Sequence, residues 1–117
     1  MKYMLLIYAD PTADAPPASP NGAYPDWPDA TAALQKDGVL LGGDGLQPTT
    51  SATTVRNRGG EKLLTDGPFA ETKEHLLGFY LVDVPDIDAA LAYAERMPNI
   101  GWGSVEVRPT LEGPSAG

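Results

Sequence analysis

Two short stretches of this sequence are apolar on both of their alternating faces, and that pattern narrows the folds open to the chain more than any other feature. From Lys2 to Ala9, Tyr3, Leu5 and Ile7 fall in one alternating set and Met4, Leu6 and Tyr8 in the other. Leu76 to Val84 repeats the pattern, with Leu77, Phe79 and Leu81 in one set and Leu76, Tyr80 and Val82 prominent in the other. Successive side chains of a strand point to opposite faces, so each of these strands needs cover on both sides. Gly78 inside the second stretch predicts a bulge or a close backbone approach.

The remaining elements follow from local signals. Six of the twelve prolines lie between residues 10 and 29, which reads as a long loop ending near Tyr24 and Trp27. A short helix is expected over about 27–37, with Pro28 in its first turn, Ala30, Ala33 and Leu34 inward, and Gly38 as its stop. Val39-Leu40-Leu41 begins a strand that Gly42-Gly43-Asp44-Gly45 is expected to cut. Thr53 to Arg58 and Glu61 to Asp66 flank Gly59-Gly60, a two-residue hairpin turn in which both positions can take positive φ. Asp86 is a good N-cap for a second helix, in which Ile87, Ala90, Leu91, Ala94 and Met97 form the apolar stripe and Pro98 the end. Ser104 to Arg108 closes as an alternating strand with Val105 and Val107 inward.

This order is a β-α-β-β-α-β plan with an extra hairpin, an α+β fold of ferredoxin-like type. Two helices cover only one face of such a sheet. The second apolar face then calls for another sheet, and a second copy of the chain is the economical source, so a homodimer is expected. One domain over residues 1–110, a Pro-rich loop at about 10–29 and a flexible tail over 111–117 account for the chain, whose 117 residues leave no room for a second core.

Composition excludes several functions. Sixteen acids against eight Lys and Arg give a net charge of −8, which repels phosphate backbones; no direct nucleic-acid binding is expected. Arg56, Arg58 and Lys62 are the one local basic cluster and read as a solvated hairpin face. No apolar run approaches the roughly 20 residues of a membrane helix, and the first strand is too short for a signal sequence. Cysteine is absent, which removes thiolate zinc sites and cysteine nucleophiles and fits a cytoplasmic setting.

Polar chemistry is densest from Thr65 to His75. His75 could shuttle protons near neutral pH with Asp66 or Glu71 orienting the imidazole, Gly67-Pro68 fixing the bend between them. Lys73 could hold an anionic group, and Tyr8, Tyr80 and Asp44 could line a pocket. The same segment also reads as a solvated charged loop, or as a structural brace with Asp66 capping backbone N–H groups and Phe69 plugging the core. Gly42-Gly43-Asp44-Gly45 is not a phosphate loop: no Gly-Lys-Ser/Thr follows, and the acid would repel phosphate. Asp66, Glu71 and Glu74 match no cation-loop spacing, so neither a metal nor another cofactor is expected.

Residues 1–8, Gly38-Val39-Leu40-Leu41-Gly42-Gly43-Asp44-Gly45-Leu46-Gln47-Pro48-Thr49, the segment Asp66-Gly67-Pro68-Phe69-Ala70-Glu71-Thr72-Lys73-Glu74 and Val105-Glu106-Val107-Arg108-Pro109 together resemble the DGPF branch of the YCII-related family. The resemblance implies a ferredoxin-like fold whose sheets pair as a dimeric α/β barrel, and a cleft lined by the Asp66–Glu74 segment. It implies either His/Asp-assisted chemistry or, because members of this branch are often encoded beside alternative sigma factors, regulation of a sigma-factor partner. Two readings stand at this level. One is a small-molecule enzyme of lyase, isomerase or hydrolase type using His75, Asp66 and Glu71. The other is a non-catalytic ligand-binding or regulatory dimer.

Overall fold

A computed structural model describes residues 1–10 and 27–111. The proposed Pro-rich loop therefore lies largely, and the tail beyond Leu111 wholly, outside the described residues. The elements are β1 (Lys2–Ala9), α1 (Trp27–Lys36), β2 (Leu40–Gly45), β3 (Thr53–Arg58), β4 (Glu61–Asp66), β5 (His75–Asp83), α2 (Ile87–Ala94) and β6 (Gly103–Pro109), with a 3-10 turn at Thr49–Ser51. Four strands form an antiparallel sheet in the order β2-β5-β1-β6, and β3 pairs with β4 as a separate hairpin. The result is an α+β architecture compatible with a ferredoxin-like fold, with the hairpin inserted between β2 and β5.

Register separates the two faces of the sheet. Tyr3 lies opposite Val82, Leu5 opposite Tyr80 and Val107, and Ile7 opposite Gly78 and Val105. These positions meet Leu34 of α1 and Ala90, Ala94 and Met97 of α2 and its following turn, so both helices lie on one face and enclose the core. On the other face Met4, Leu6 and Tyr8 pair with Leu81, Phe79 and Leu76. All six are half-buried, shielded by one another and by no second layer among the described residues.

The helices end where local chemistry ends them. Asp86 accepts a hydrogen bond from the Ala89 N–H at 2.9 Å, satisfying a donor in the first turn of α2. The N–H groups of Gly38 and Val39 close onto the carbonyls of Gln35 and Leu34 after α1. Gly59 and Gly60 both have positive φ, +61° and +85°, which lets β3 turn into β4 in two residues. No helix among the described residues is long and apolar enough to cross a membrane.

Three expectations are corrected. Gly42–Gly45 does not cut its strand: β2 continues through it, paired with β5, after a bulge between Leu40 and Gly42. Pairing survives because a ladder is made of backbone groups, and bare glycines allow the two backbones to approach closely. A Cβ on Gly43 would lie 2.5 Å from the Phe79 carbonyl oxygen, and one on Gly78 would lie 2.6 Å from that of Asp44. Ile87 and Leu91 are exposed instead of inward, because the buried line of α2 runs through Ala90 and Ala94, with Met97 beyond its end, and leaves those two on its flank. Ala33 is likewise exposed, on the side of α1 away from Leu34.

Candidate functional site

Two concavities flank the sheet, one on each face. The first, about 790 Å³, lies between α1 and the β2–β5 edge. Glycine creates it. Opposite Tyr80 and Gly78, the inward positions of β2 are Gly43 and Gly45, so the edge strand offers no side chains to fill the space under α1. Its walls are Trp27, Leu40, Leu41, Leu46, Leu77 and the ring of Tyr80, its polar side chains are Thr31, Gln35 and the Tyr80 hydroxyl, and Asp44 lies on the edge strand at its margin. Tyr80 Oη lies 2.6 Å from Thr31 Oγ1, and Thr31 also donates to the Trp27 carbonyl at 3.0 Å. The Trp27 and Tyr80 rings stand 6.3 Å apart, tilted by 39°.

The second is an open groove of about 720 Å³ where the uncovered sheet face meets the end of the Asp66–Glu74 segment, lined by Tyr8, Asp10, Thr72, Lys73, Glu74, Trp102 and Glu106. Its polar groups are engaged with one another. Ser104 Oγ donates to both carboxylate oxygens of Glu74, at 3.1 and 2.9 Å. Tyr8 Oη donates to Glu106 at 3.4 Å, and Arg108 donates to the other oxygen of the same carboxylate. Burial, and next the adjacent Glu106 carboxylate, raise the Tyr8 phenol above its ordinary pKa, since both disfavour the phenolate. Lys73 reaches only to 3.9 Å from Asp10, its side chain 87% exposed.

The residues singled out from the sequence are divided between these places. Tyr80 and Asp44 line the α1 cavity, and Tyr8 and Lys73 line the groove. His75, Asp66 and Glu71 do not come together. His75 Nδ1 lies 3.2 Å from Thr49 Oγ1, so a hydroxyl stands where a carboxylate partner was expected. Asp66 ends β4, paired with Thr53, and is exposed, as is Glu71. Among the described residues no carboxylate is in hydrogen-bond contact with the imidazole. The brace reading is corrected at Phe69, which plugs nothing: it is 71% exposed, with the Arg56 guanidinium 5.2 Å above its ring. Gly67 is tied to the hairpin through its N–H to the Ala52 carbonyl and its own carbonyl to Thr54 Oγ1.

Sequence reasoning missed Thr31 and Gly45. The available signal was a hydroxyl one turn before the buried Leu34 of α1, facing a strand whose inward positions are glycine. Recognising it required knowing that β2 continues through the glycines.

A protein of Rhizobium meliloti (strain 1021) described as uncharacterized is 54% identical over 66 residues, which cover 55% of this chain and 53% of the relative. The chain thus matches about half the length of that relative. A model of the YCII-related domain matches residues 1–112, both terminal strands of the sheet included, and the chain belongs to the YCII-related domain family.

Proposed function

We propose that this chain is a small-molecule-binding domain whose ligand sits between α1 and the glycine-floored β2–β5 edge. The observation that carries the reading is the cavity itself, about 790 Å³, with apolar and aromatic walls and a few polar groups on one side. That is the usual make-up of a site that buries an organic molecule and orients it with a few hydrogen bonds. The acid/base reading lacks the same support, because none of His75, Asp66 and Glu71 lines either of these two concavities and the imidazole meets a threonine hydroxyl. Of the two readings open from the sequence, ligand binding is therefore preferred.

An amide-resolved NMR titration with phenol and toluene tests it. Shifts confined to Thr31, Gly42–Gly45 and Leu77–Tyr80, and abolished in Gly45→Leu, are the expected result. A Cβ on Gly45 meets nothing within 4 Å and its φ is not positive, so that variant fills the cavity and leaves the sheet intact. No shifts, or shifts unchanged by the substitution, would defeat the binding reading.

We also propose that the domain acts as a homodimer, two sheets paired through their uncovered faces as in a dimeric α/β barrel. Support comes from the half-buried row of Met4, Leu6, Leu76, Phe79 and Leu81, a contiguous apolar surface of the kind that marks association sites.

A further inference from the structure

The chemical class of the ligand follows from a proton count at the polar wall of the α1 cavity, and the inference rests on the binding reading just given. Thr31 has one hydroxyl proton, which goes to the Trp27 carbonyl one turn back, at 3.0 Å. The same oxygen lies 2.6 Å from Tyr80 Oη. Both contacts are hydrogen bonds only when Tyr80 donates to Thr31. Tyr80 then has no proton left to offer and presents lone pairs alone. A ligand meeting this hydroxyl must bring the donor.

Charge points the same way. Among the described residues lining the cavity, Asp44 is the only charged one, and no Lys, Arg or His is present to pair with an anion. Asp44 is exposed on the edge strand, adjacent to Gly43, which lies opposite Tyr80. Alternation along β2 turns it from the inward side, so it supplies a field more than a contact. The start of α1 would ordinarily favour an anion. Here Pro28 brings no N–H, and Asp29 already places a carboxylate in the first turn. The tilted Trp27 and Tyr80 rings offer π faces, which attract cations.

We propose that the cavity takes a protonated amine carried on an apolar body. The ammonium donates to Tyr80 Oη, and the body packs on Trp27, Leu40 and Leu77. A net charge of −8 draws such a cation toward the protein and repels the corresponding acid.

Three probes of similar size separate the outcomes: 2-phenylethylamine, 2-phenylethanol and 3-phenylpropionate, titrated calorimetrically into the whole chain at neutral pH. The amine is expected to bind about tenfold or more tighter than the carboxylate, with the alcohol between. Tyr80→Phe should cost the amine about five- to tenfold, Asp44→Asn should narrow the gap between amine and acid, and Gly45→Leu should abolish binding of all three. Carboxylate or alcohol binding as tightly as the amine, and lost in Gly45→Leu, would overturn the amine assignment and leave the cavity reading standing. Amine binding that Tyr80→Phe does not weaken would overturn the donor argument. Binding of none of the three, or binding indifferent to Gly45→Leu, would defeat both.

Discussion

Tyr8 stands where the uncovered sheet face meets the groove, and its phenol is held protonated by burial and by Glu106. Glu106→Gln should therefore lower its pKa while leaving the burial contribution in place, read as an earlier rise of phenolate absorbance. A phenol whose folded pKa lies above the ordinary value of about 10 contributes stability that is complete below that pH and is lost as pH rises through the folded pKa. Wild type should accordingly lose more stability than Tyr8→Phe in that alkaline window, in urea melts taken at successive pH values. Asn99 makes a second test at this scale. Fully buried, it donates through Nδ2 to the carbonyls of Tyr8 and Ser104 at 2.9 and 3.0 Å, joining the turn after α2 to the ends of β1 and β6. Asn99→Asp would set an acceptor against two carbonyls, and a loss of about 2–4 kcal/mol is expected by denaturant unfolding. Neither role is legible in the sequence. Tyr8 and Glu106 are 98 positions apart, and Asn99 is one polar residue in a turn until folding brings two carbonyls to it.

At the level of elements, legibility followed the range of the signal. The hairpin is written within its own residues, by two runs and a Gly-Gly turn, and its predicted bounds match β3 and β4. The cap of α2 is equally local: Asp86→Ala should destabilise by about 1 kcal/mol in thermal melts, through loss of the bond to the Ala89 N–H. What a strand does at its edge is not local. β2 persists through three glycines because β5 supplies its partners, and no property of residues 40–45 alone announces that. The same interaction is fragile in one direction. Gly78→Ala would press a methyl against the Asp44 carbonyl, so β2 should peel from β5 at a cost of about 1–3 kcal/mol, visible as faster amide exchange along β2. The burial of α2 was legible as an apolar stripe, but its rotation by a flank, which exposes Ile87 and Leu91, is set by the sheet beneath it.

For the whole molecule, the two-faced strands carried the most information, because helices can close only one side of a four-stranded sheet. The proposed dimer is checked by light scattering on a sizing column at micromolar concentration. Wild type should elute as two copies and Leu6→Glu as one, the new charge being placed at the centre of the uncovered face, opposite Phe79. A monomeric wild type would sink the proposal. Because each copy carries −8, like charges oppose the pairing, and added salt should tighten it. The site was less legible than the fold. Sequence drew attention to the polar Thr65–His75 segment, whereas the apolar concavity lies under α1, where Gly43, Gly45 and Gly78 contribute mainly by lacking a side chain.

Those three glycines are unequal before mutation. Gly43 and Gly78 are closed to change, since any Cβ there collides with the backbone of the neighbouring strand, while at Gly45 a Cβ meets open space. The sheet is thus preserved by Gly43 and Gly78, and the bore of the cavity is adjusted at Gly45. Single codon changes at Gly45 can narrow or reshape the chamber with no repacking of the core, giving a lineage built on this strand a short path from one guest molecule to another.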